Sequence, residues 1–126
     1  MPANQSLKLM SQLSSDKPAD YCFYDKKFGV PLTNFVITLK TGVKYSFYYH
    51  FVRRLKWDGA MLTIDYGEPQ EITIEGMNLS ALFEDLTSQC VLWMREANQA
   101  ELQLIKSRED HYKDLTVIEK ITIQPE

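Results

Sequence analysis

The sequence predicts an α+β domain: an antiparallel β-meander of about five strands, twisted or partly rolled, with one main amphipathic helix packed on its apolar face. Two observations predict this class. Apolar residues alternate with polar ones through two consecutive segments that a glycine turn separates, which is the period of half-buried strands. After Gly76 the apolar spacing changes to three and four residues, which is the period of a helix.

The first predicted hairpin joins strands at residues 34–40 and 43–52. Gly42 lies between them and takes positive φ without a steric cost, so it suits a tight turn. The alternation assigns one apolar set to the core face of these strands, namely Phe35, Ile37, Leu39, Val43, Tyr45, Phe47, Tyr49 and Phe51.

A second hairpin is predicted from strands at residues 60–66 and 70–75, with Gly67 and Pro69 in the turn between them. Residues 57–59 provide a further turn before it. The alternation places a second apolar set on the core face of these two strands, namely Leu62, Ile64, Tyr66, Ile72 and Ile74.

The main helix is predicted to begin at Asn78, a good N-cap residue, and to continue to Ala97 or as far as residue 107. Its apolar stripe consists of Leu79, Leu82, Phe83, Leu86, Cys90, Trp93, Met94 and Ala97. Serine and threonine at residues 87–88 leave an alternative open, in which residues 90–96 form a strand after a short helix. We favour the long helix. Residues 115–123 predict a last strand, whose alternation slips at Glu119 and indicates a bulge or an edge position.

The chain of 126 residues shows no repeat or linker, so one domain is expected at residues 20–126. Residues 1–19 contain four serines and two prolines and predict a flexible or loosely docked N-terminal arm. Neither a signal peptide nor a membrane span is indicated, so we expect a cytoplasmic protein that does not engage a membrane. Cys22 and Cys90 are expected to be inert packing residues.

No catalytic site is predicted, and neither a metal nor a cofactor is expected. The chain contains no phosphate-binding glycine loop, zinc motif or serine elbow. Its two histidines, His50 and His111, have no catalytic partner by spacing. A Cys22 or Cys90 nucleophile activated by His50 stays open, but the sequence favours a protein that is not an enzyme.

Charge is distributed unevenly. Residues 40–57 contain five basic side chains and no acidic one, with six aromatic rings among them, whereas residues 58–101 contain nine acidic side chains and one arginine. Aromatic rings interleaved with cations are typical of surfaces that bind nucleic acid or another polyanion. This alternative function would use Lys44, Tyr48, His50, Arg53, Arg54 and Lys56.

The function that the sequence favours is a small non-catalytic binding or assembly module, which acts through a protein partner or as a homo-oligomer. On a long helix, several apolar residues lie away from the main stripe and need a second surface to cover them. These candidate partner-binding residues are Val91, Leu92, Leu102 and Ile105.

Overall fold

The computed structural model describes residues 22–67 and 69–125, and these residues form an α+β fold, as predicted. The predicted N-terminal arm, residues 1–19, lies outside the described residues. In chain order the elements are β1 (Tyr24–Lys26), β2 (Asn34–Thr38), β3 (Lys44–Tyr48), a 3-10 helix (Tyr49–Phe51), β4 (Arg54–Trp57), β5 (Met61–Asp65), β6 (Glu71–Met77), α1 (Ser80–Thr87), β7 (Val91–Arg95), α2 (Gln99–Ser107), α3 (Glu109–Tyr112) and β8 (Val117–Gln124).

The strands form two sheets of four, rather than one meander of about five strands. The first sheet has the order β1-β7-β2-β3, and the second has the order β4-β5-β6-β8. All neighbouring strands are antiparallel except β2 and β7, which are parallel. Buried side chains of both sheets belong to one hydrophobic cluster, so the sheets share a core.

The first predicted hairpin is confirmed, because β2 pairs with β3 and Gly42 lies in the turn with a φ of +95°. The second strand is shorter than predicted. It ends at Tyr48, where the chain enters the 3-10 helix and the alternation stops. Phe51 is therefore exposed instead of facing the core, and Val43, which precedes the strand, is also exposed.

Both later turns are also confirmed. Gly67 has a φ of +98°, and the backbone N–H of Gln70 donates to the Gly67 carbonyl at 2.7 Å. In the turn at residues 57–60, one oxygen of the Asp58 carboxylate accepts from the backbone N–H groups of Ala60 and Met61, each at 2.9 Å. This turn joins β5 to the additional strand β4.

The irregularity predicted at Glu119 is a bulge, and β8 is an edge strand, so both readings of the slipped alternation are confirmed. Glu75 pairs with Lys120 and Gly76 with Ile118, which leaves Glu119 as the extra residue. A Cβ atom at Gly76 would overlap the carbonyl oxygen of Val117, so only glycine fits this close approach.

The predicted long helix is wrong, and the alternative that includes a strand is correct. Helix α1 ends at Thr87, Gln89 turns the chain with a φ of +55°, and β7 follows between β1 and β2. A strand with a neighbour on each side satisfies backbone groups on both edges, which overrides the helical spacing of its apolar residues.

Asn78 does not cap the helix as predicted. It has a φ of +55°, and its side-chain amide donates to the carbonyl oxygens of Lys113 and Leu115 at 2.8 and 2.7 Å. Asn78 therefore ties the start of α1 to the segment before β8, while Leu79 occupies the N-cap position.

Helix α2 begins with a capping box. The Asn98 side chain accepts from the backbone N–H of Glu101, and the Glu101 carboxylate accepts from the backbone N–H of Asn98. The Nη1 and Nη2 groups of Arg95 each donate to this carboxylate at 2.9 Å. Burial alone would raise the pKa of Glu101, but the bonds from Arg95 and Asn98 hold it below its ordinary value.

Most of the predicted core is buried, whereas Leu39, Tyr45, Phe83 and Trp93 are only partly covered. The buried residues common to the prediction and the structure are Phe35, Ile37, Phe47, Tyr49, Leu62, Ile64, Ile72, Ile74, Leu79, Leu82 and Leu86.

One buried charged residue, Glu96, connects the two sheets at the end of β7. Its carboxylate accepts from the backbone N–H groups of Lys40 and Ile121, each at 2.8 Å. Next to it, the backbone N–H of Ala97 donates to the carbonyl of Ile118 at 2.8 Å. Hydrogen bonds therefore join the residues that follow β7 to β8 of the second sheet.

Candidate functional site

The chain crosses from the first sheet to the second through the 3-10 helix Tyr49–Phe51. Tyr49 anchors this crossing, because its buried hydroxyl donates to the Val91 carbonyl at 2.8 Å and lies 3.1 Å from the Val91 backbone N–H, which donates to it. Burial raises the pKa of this hydroxyl. Because Tyr49 occupies the core, the flanking residues Tyr48 and His50 are exposed.

Four rings meet on the outside of this corner. The Phe51 ring centroid lies 5.2 Å from that of His50, 6.0 Å from that of Tyr66 and 6.4 Å from that of Tyr48, all with steep interplanar angles. Phe51 is 55% exposed and Tyr48 is 48% exposed. Edge-to-face contacts of this kind are favourable, and they leave ring surface open to a ligand.

Tyr66 fixes the ring cluster to both sheets. Its hydroxyl accepts a hydrogen bond from the backbone N–H of Tyr48 at 2.9 Å, on the side of β3 that has no neighbouring strand. Its ring packs edge-on against buried Phe47, with centroids 4.9 Å apart. The cluster is therefore held in place before any ligand arrives.

Basic side chains flank the rings. The Arg53 side chain passes close to the turn that follows Tyr66, because its Nε lies 3.6 Å from the site of a Cβ on Gly67. Lys44 shares the exposed face of β3 with Tyr48, and Arg54 and Lys56 share the exposed face of β4. All four are exposed, and the two ion pairs in residues 22–67 and 69–125 involve other residues.

Together these residues define what we call the corner surface: Lys44, Tyr48, His50, Phe51, Arg53, Arg54, Lys56 and Tyr66. Acidic residues begin on the next strands of the second sheet. In the strand register, Asp65 of β5 lies opposite Arg54 of β4, and Glu71 of β6 lies opposite Asp65. The basic area therefore has a boundary at β5.

A cleft of about 210 Å³ opens beside the corner surface. Buried Phe35, Tyr49 and Leu86 lie at its base, and Arg53 and Arg54 also line it. The remaining lining residues are Val52, Leu55, Thr87 and Gln89. An apolar base beside two cations suits a ligand that is partly flat and apolar and partly anionic.

All six residues predicted for polyanion binding are exposed. Ring contacts bring Tyr48 and His50 together at Phe51, and Arg53 and Arg54 line the adjacent cleft. Lys44 lies at the start of β3 and Lys56 near the end of β4, farther along these strands from the 3-10 helix. The alternation had assigned Phe51 to the core and Tyr66 to the inner face of its strand, so neither ring was predicted to belong to this surface. The sequence contains no signal for the 3-10 helix that turns Phe51 outward.

The four residues predicted to bind a partner do not form an exposed surface. Val91 and Ile105 are 0% and 2% exposed, because β7 and α2 bury them in the core, and Leu92 and Leu102 are partly covered. The prediction of a partner-binding surface depended on the long helix, so it is wrong for the same reason.

The structure separates Cys22 from His50, a pair that the sequence left open as a catalytic site. Cys22 is exposed, contrary to its predicted packing role, while Cys90 is buried as expected. Cys22 precedes β1 and His50 follows β3, so they lie at opposite edges of the first sheet. Three strand spacings of about 4.8 Å separate these edges by about 14 Å. His111 lies exposed on α3.

Residues 22–67 and 69–125 contain no group of three or more histidine, cysteine or acidic side chains arranged to hold a metal ion. Among the helices in this part of the chain, none has the length and apolar character needed to cross a membrane. Comparison with protein-family models, curated proteins and solved structures found no match to this chain.

Proposed function

We propose that this protein is a non-catalytic module that binds single-stranded nucleic acid on the corner surface. The observation that supports this proposal is the exposed ring cluster around Phe51, placed between basic side chains that have no ion-pair partner among the described residues. Unpaired bases stack on exposed rings, and lysine and arginine attract the phosphates.

The dimensions of the surface suit a short segment of nucleic acid. Four residue steps separate Lys44 from Tyr48 along β3, and two separate Arg54 from Lys56 along β4. At about 3.3 Å per residue these runs span about 13 and 7 Å. We therefore expect a site of about four nucleotides, at the small end of the range for such modules.

Binding to a labelled single-stranded oligonucleotide, followed by fluorescence anisotropy across a salt series, tests the proposal. In Phe51→Ala one stacking ring is lost, so we expect affinity to fall by about 5- to 150-fold. Replacing both Arg53 and Arg54 by glutamine removes two phosphate contacts, and the slope of log affinity against log salt should decrease by about 1.4.

The matched control is a double variant of exposed lysines away from the corner, Lys106→Gln with Lys113→Gln. It changes the net charge by the same amount as the double arginine variant, so its effect measures non-local electrostatics alone. An equal loss in both double variants would show that the corner surface is not the site. Absence of binding at low salt would exclude the function.

A second candidate function is assembly through a protein partner or a second copy of this chain. It is favoured by the loop between β1 and β2, where Phe28 is 72% and Val30 is 81% exposed. Exposed aromatic residues are common anchors at protein interfaces. Light scattering should then give a mass above 14.7 kDa, and replacing both residues by serine should return the monomer mass.

We also propose that the protein acts in the cytoplasm. Cys22 and Cys90 are free thiols in the structure, and a reducing compartment maintains cysteines in that form. Trapping both thiols with an alkylating reagent during cell lysis checks this, since a cysteine already oxidised in the cell would not react.

A further inference from the structure

The cleft beside the corner surface has the features of a pocket for one nucleobase. It lies between the 3-10 helix, the start of β4 and the end of α1. Arg53 and Arg54 belong to both the cleft and the corner surface, so a strand held by their guanidinium groups would pass over the cleft.

Buried apolar side chains form the base of the cleft. The rings of Phe35 and Tyr49 lie 4.9 Å apart at an angle of 55°, and Leu86 completes the apolar base. The Tyr49 hydroxyl is engaged with Val91. Tyr49 is 8% exposed, whereas Phe35 and Leu86 are 0% and 1% exposed, so a ligand contacts mainly Tyr49 at this base. The volume of about 210 Å³ exceeds the roughly 150 Å³ that holds benzene in an engineered protein cavity.

The cleft also contains polar groups suited to the edge of a base. One Nε2 hydrogen of Gln89 is donated to the Leu32 carbonyl at 3.3 Å, which holds the side chain against the loop before β2. A glutamine amide has a second N–H and a carbonyl oxygen, which together match the donor and acceptor pair on a base edge. Thr87 also lines the cleft, and its hydroxyl donates to the Phe83 carbonyl at 2.9 Å, so only its oxygen is left to accept a hydrogen bond.

We infer that this cleft receives one base of a single strand bound to the corner surface, while Arg53 and Arg54 hold the phosphates next to that base. This inference rests on the proposed function and adds to it a second binding element. Charge complementarity favours this occupant, because the apolar cavity accepts the ring and the two cations at its opening require an anionic attachment.

Filling the cleft tests the inference. Thr87 is exposed and lines the opening, so Thr87→Trp places an indole there without altering a buried residue. The control is Ser88→Trp, at the next position, which is exposed and does not line the cleft. Urea unfolding should show that both variants are folded, and anisotropy with a labelled six-nucleotide single strand then measures affinity.

We expect Thr87→Trp to weaken binding by about 5- to 150-fold, the effect of losing one stacked base, and Ser88→Trp to bind as the unmodified protein does. In addition, the side-chain amide signals of Gln89 in an NMR spectrum should shift with the six-nucleotide strand but not with an abasic strand of the same length.

The outcomes separate this inference from the proposed function. If the protein binds the strand and both tryptophan variants bind it equally well, the base pocket is excluded and the corner surface is retained. Equal weakening in both variants, or Gln89 shifts that are the same with the abasic strand, also excludes the pocket. If the unmodified protein binds no strand at low salt, both proposals fail.

Discussion

Replacing Glu96 tests how the two sheets are held together. Its carboxylate accepts the backbone N–H groups of Lys40, which follows β2, and of Ile121 in β8. No other side chain with a charge is buried among the described residues. In Glu96→Ala both backbone N–H groups lose their acceptor, and the hydrogen bond from Ile121 is the buried one.

The expected loss of unfolding free energy in Glu96→Ala follows from the burial of each backbone N–H that loses its acceptor. A buried N–H without a partner costs about 1–3 kcal/mol, so the buried Ile121 donor accounts for about 3 kcal/mol and the part-buried Lys40 donor for about 1 kcal/mol. The total of about 4 kcal/mol is a large share of the 5–15 kcal/mol that stabilises an ordinary domain. Glu96→Gln keeps one acceptor and should cost about half as much.

Urea unfolding followed by circular dichroism measures these differences, and Glu84→Ala is the control. Glu84 is an exposed acid on α1, so its removal should change the free energy of unfolding by no more than about 0.5 kcal/mol. A loss below about 1 kcal/mol in Glu96→Ala would refute the view that this carboxylate joins the sheets. So would an equal loss in Glu96→Gln and Glu96→Ala.

Three further outcomes are expected. Phe47→Ala should lower the free energy of unfolding in urea by about 3–5 kcal/mol. Phe83→Ala should lower it by less, because Phe47 is buried and Phe83 is only partly buried; equal losses would contradict the burial pattern. The folded-state pKa of Glu101 is lowered, so its stabilising contribution is present above its unfolded pKa of about 4.3 and is lost as the pH falls through the folded value. The stability difference between the unmodified protein and Glu101→Gln should therefore shrink between pH 6 and pH 3, and a constant difference would rule this out. A thiol reagent should modify exposed Cys22 rapidly and Cys90 only on unfolding, since burial also raises the pKa of the Cys90 thiol; two rapid modifications would be inconsistent with the structure.

The hairpins were predictable because local rules decide them. Glycine at positive φ and alternating apolar residues specify both the turn and the buried face, and Gly42 and Gly67 occupy the positions that these rules require. The bulge at Glu119 was visible for a related reason, since one extra residue shifts the alternation by one position.

The region after Gly76 was predicted wrongly because a long-range contact decides it. The apolar residues of β7 also fit a helical stripe, and only their pairing with β1 and β2 selects the strand. Both partners lie more than 50 residues earlier in the chain, so no local pattern reports the pairing. The assignment of Val91 and Ile105 to a partner surface failed as a direct consequence.

The polyanion site was predictable in its charges and only partly in its rings. The absence of acidic residues between residues 40 and 57 is visible in the sequence, and the basic residues are exposed where that pattern places them. The positions of Phe51 and Tyr66 depend on the 3-10 helix and on a contact between the two sheets. Neither feature has a local signature.

The corner surface owes its geometry to the core beneath it. Tyr49 is held by two hydrogen bonds to Val91, and Tyr66 binds the backbone of Tyr48 while its ring covers Phe47. A ligand that meets rings already fixed in this way loses less conformational freedom on binding than one that must order a loop. The residues that stabilise the join between the sheets therefore also position the exposed rings, so substitutions at Tyr49 should change ligand affinity and stability together.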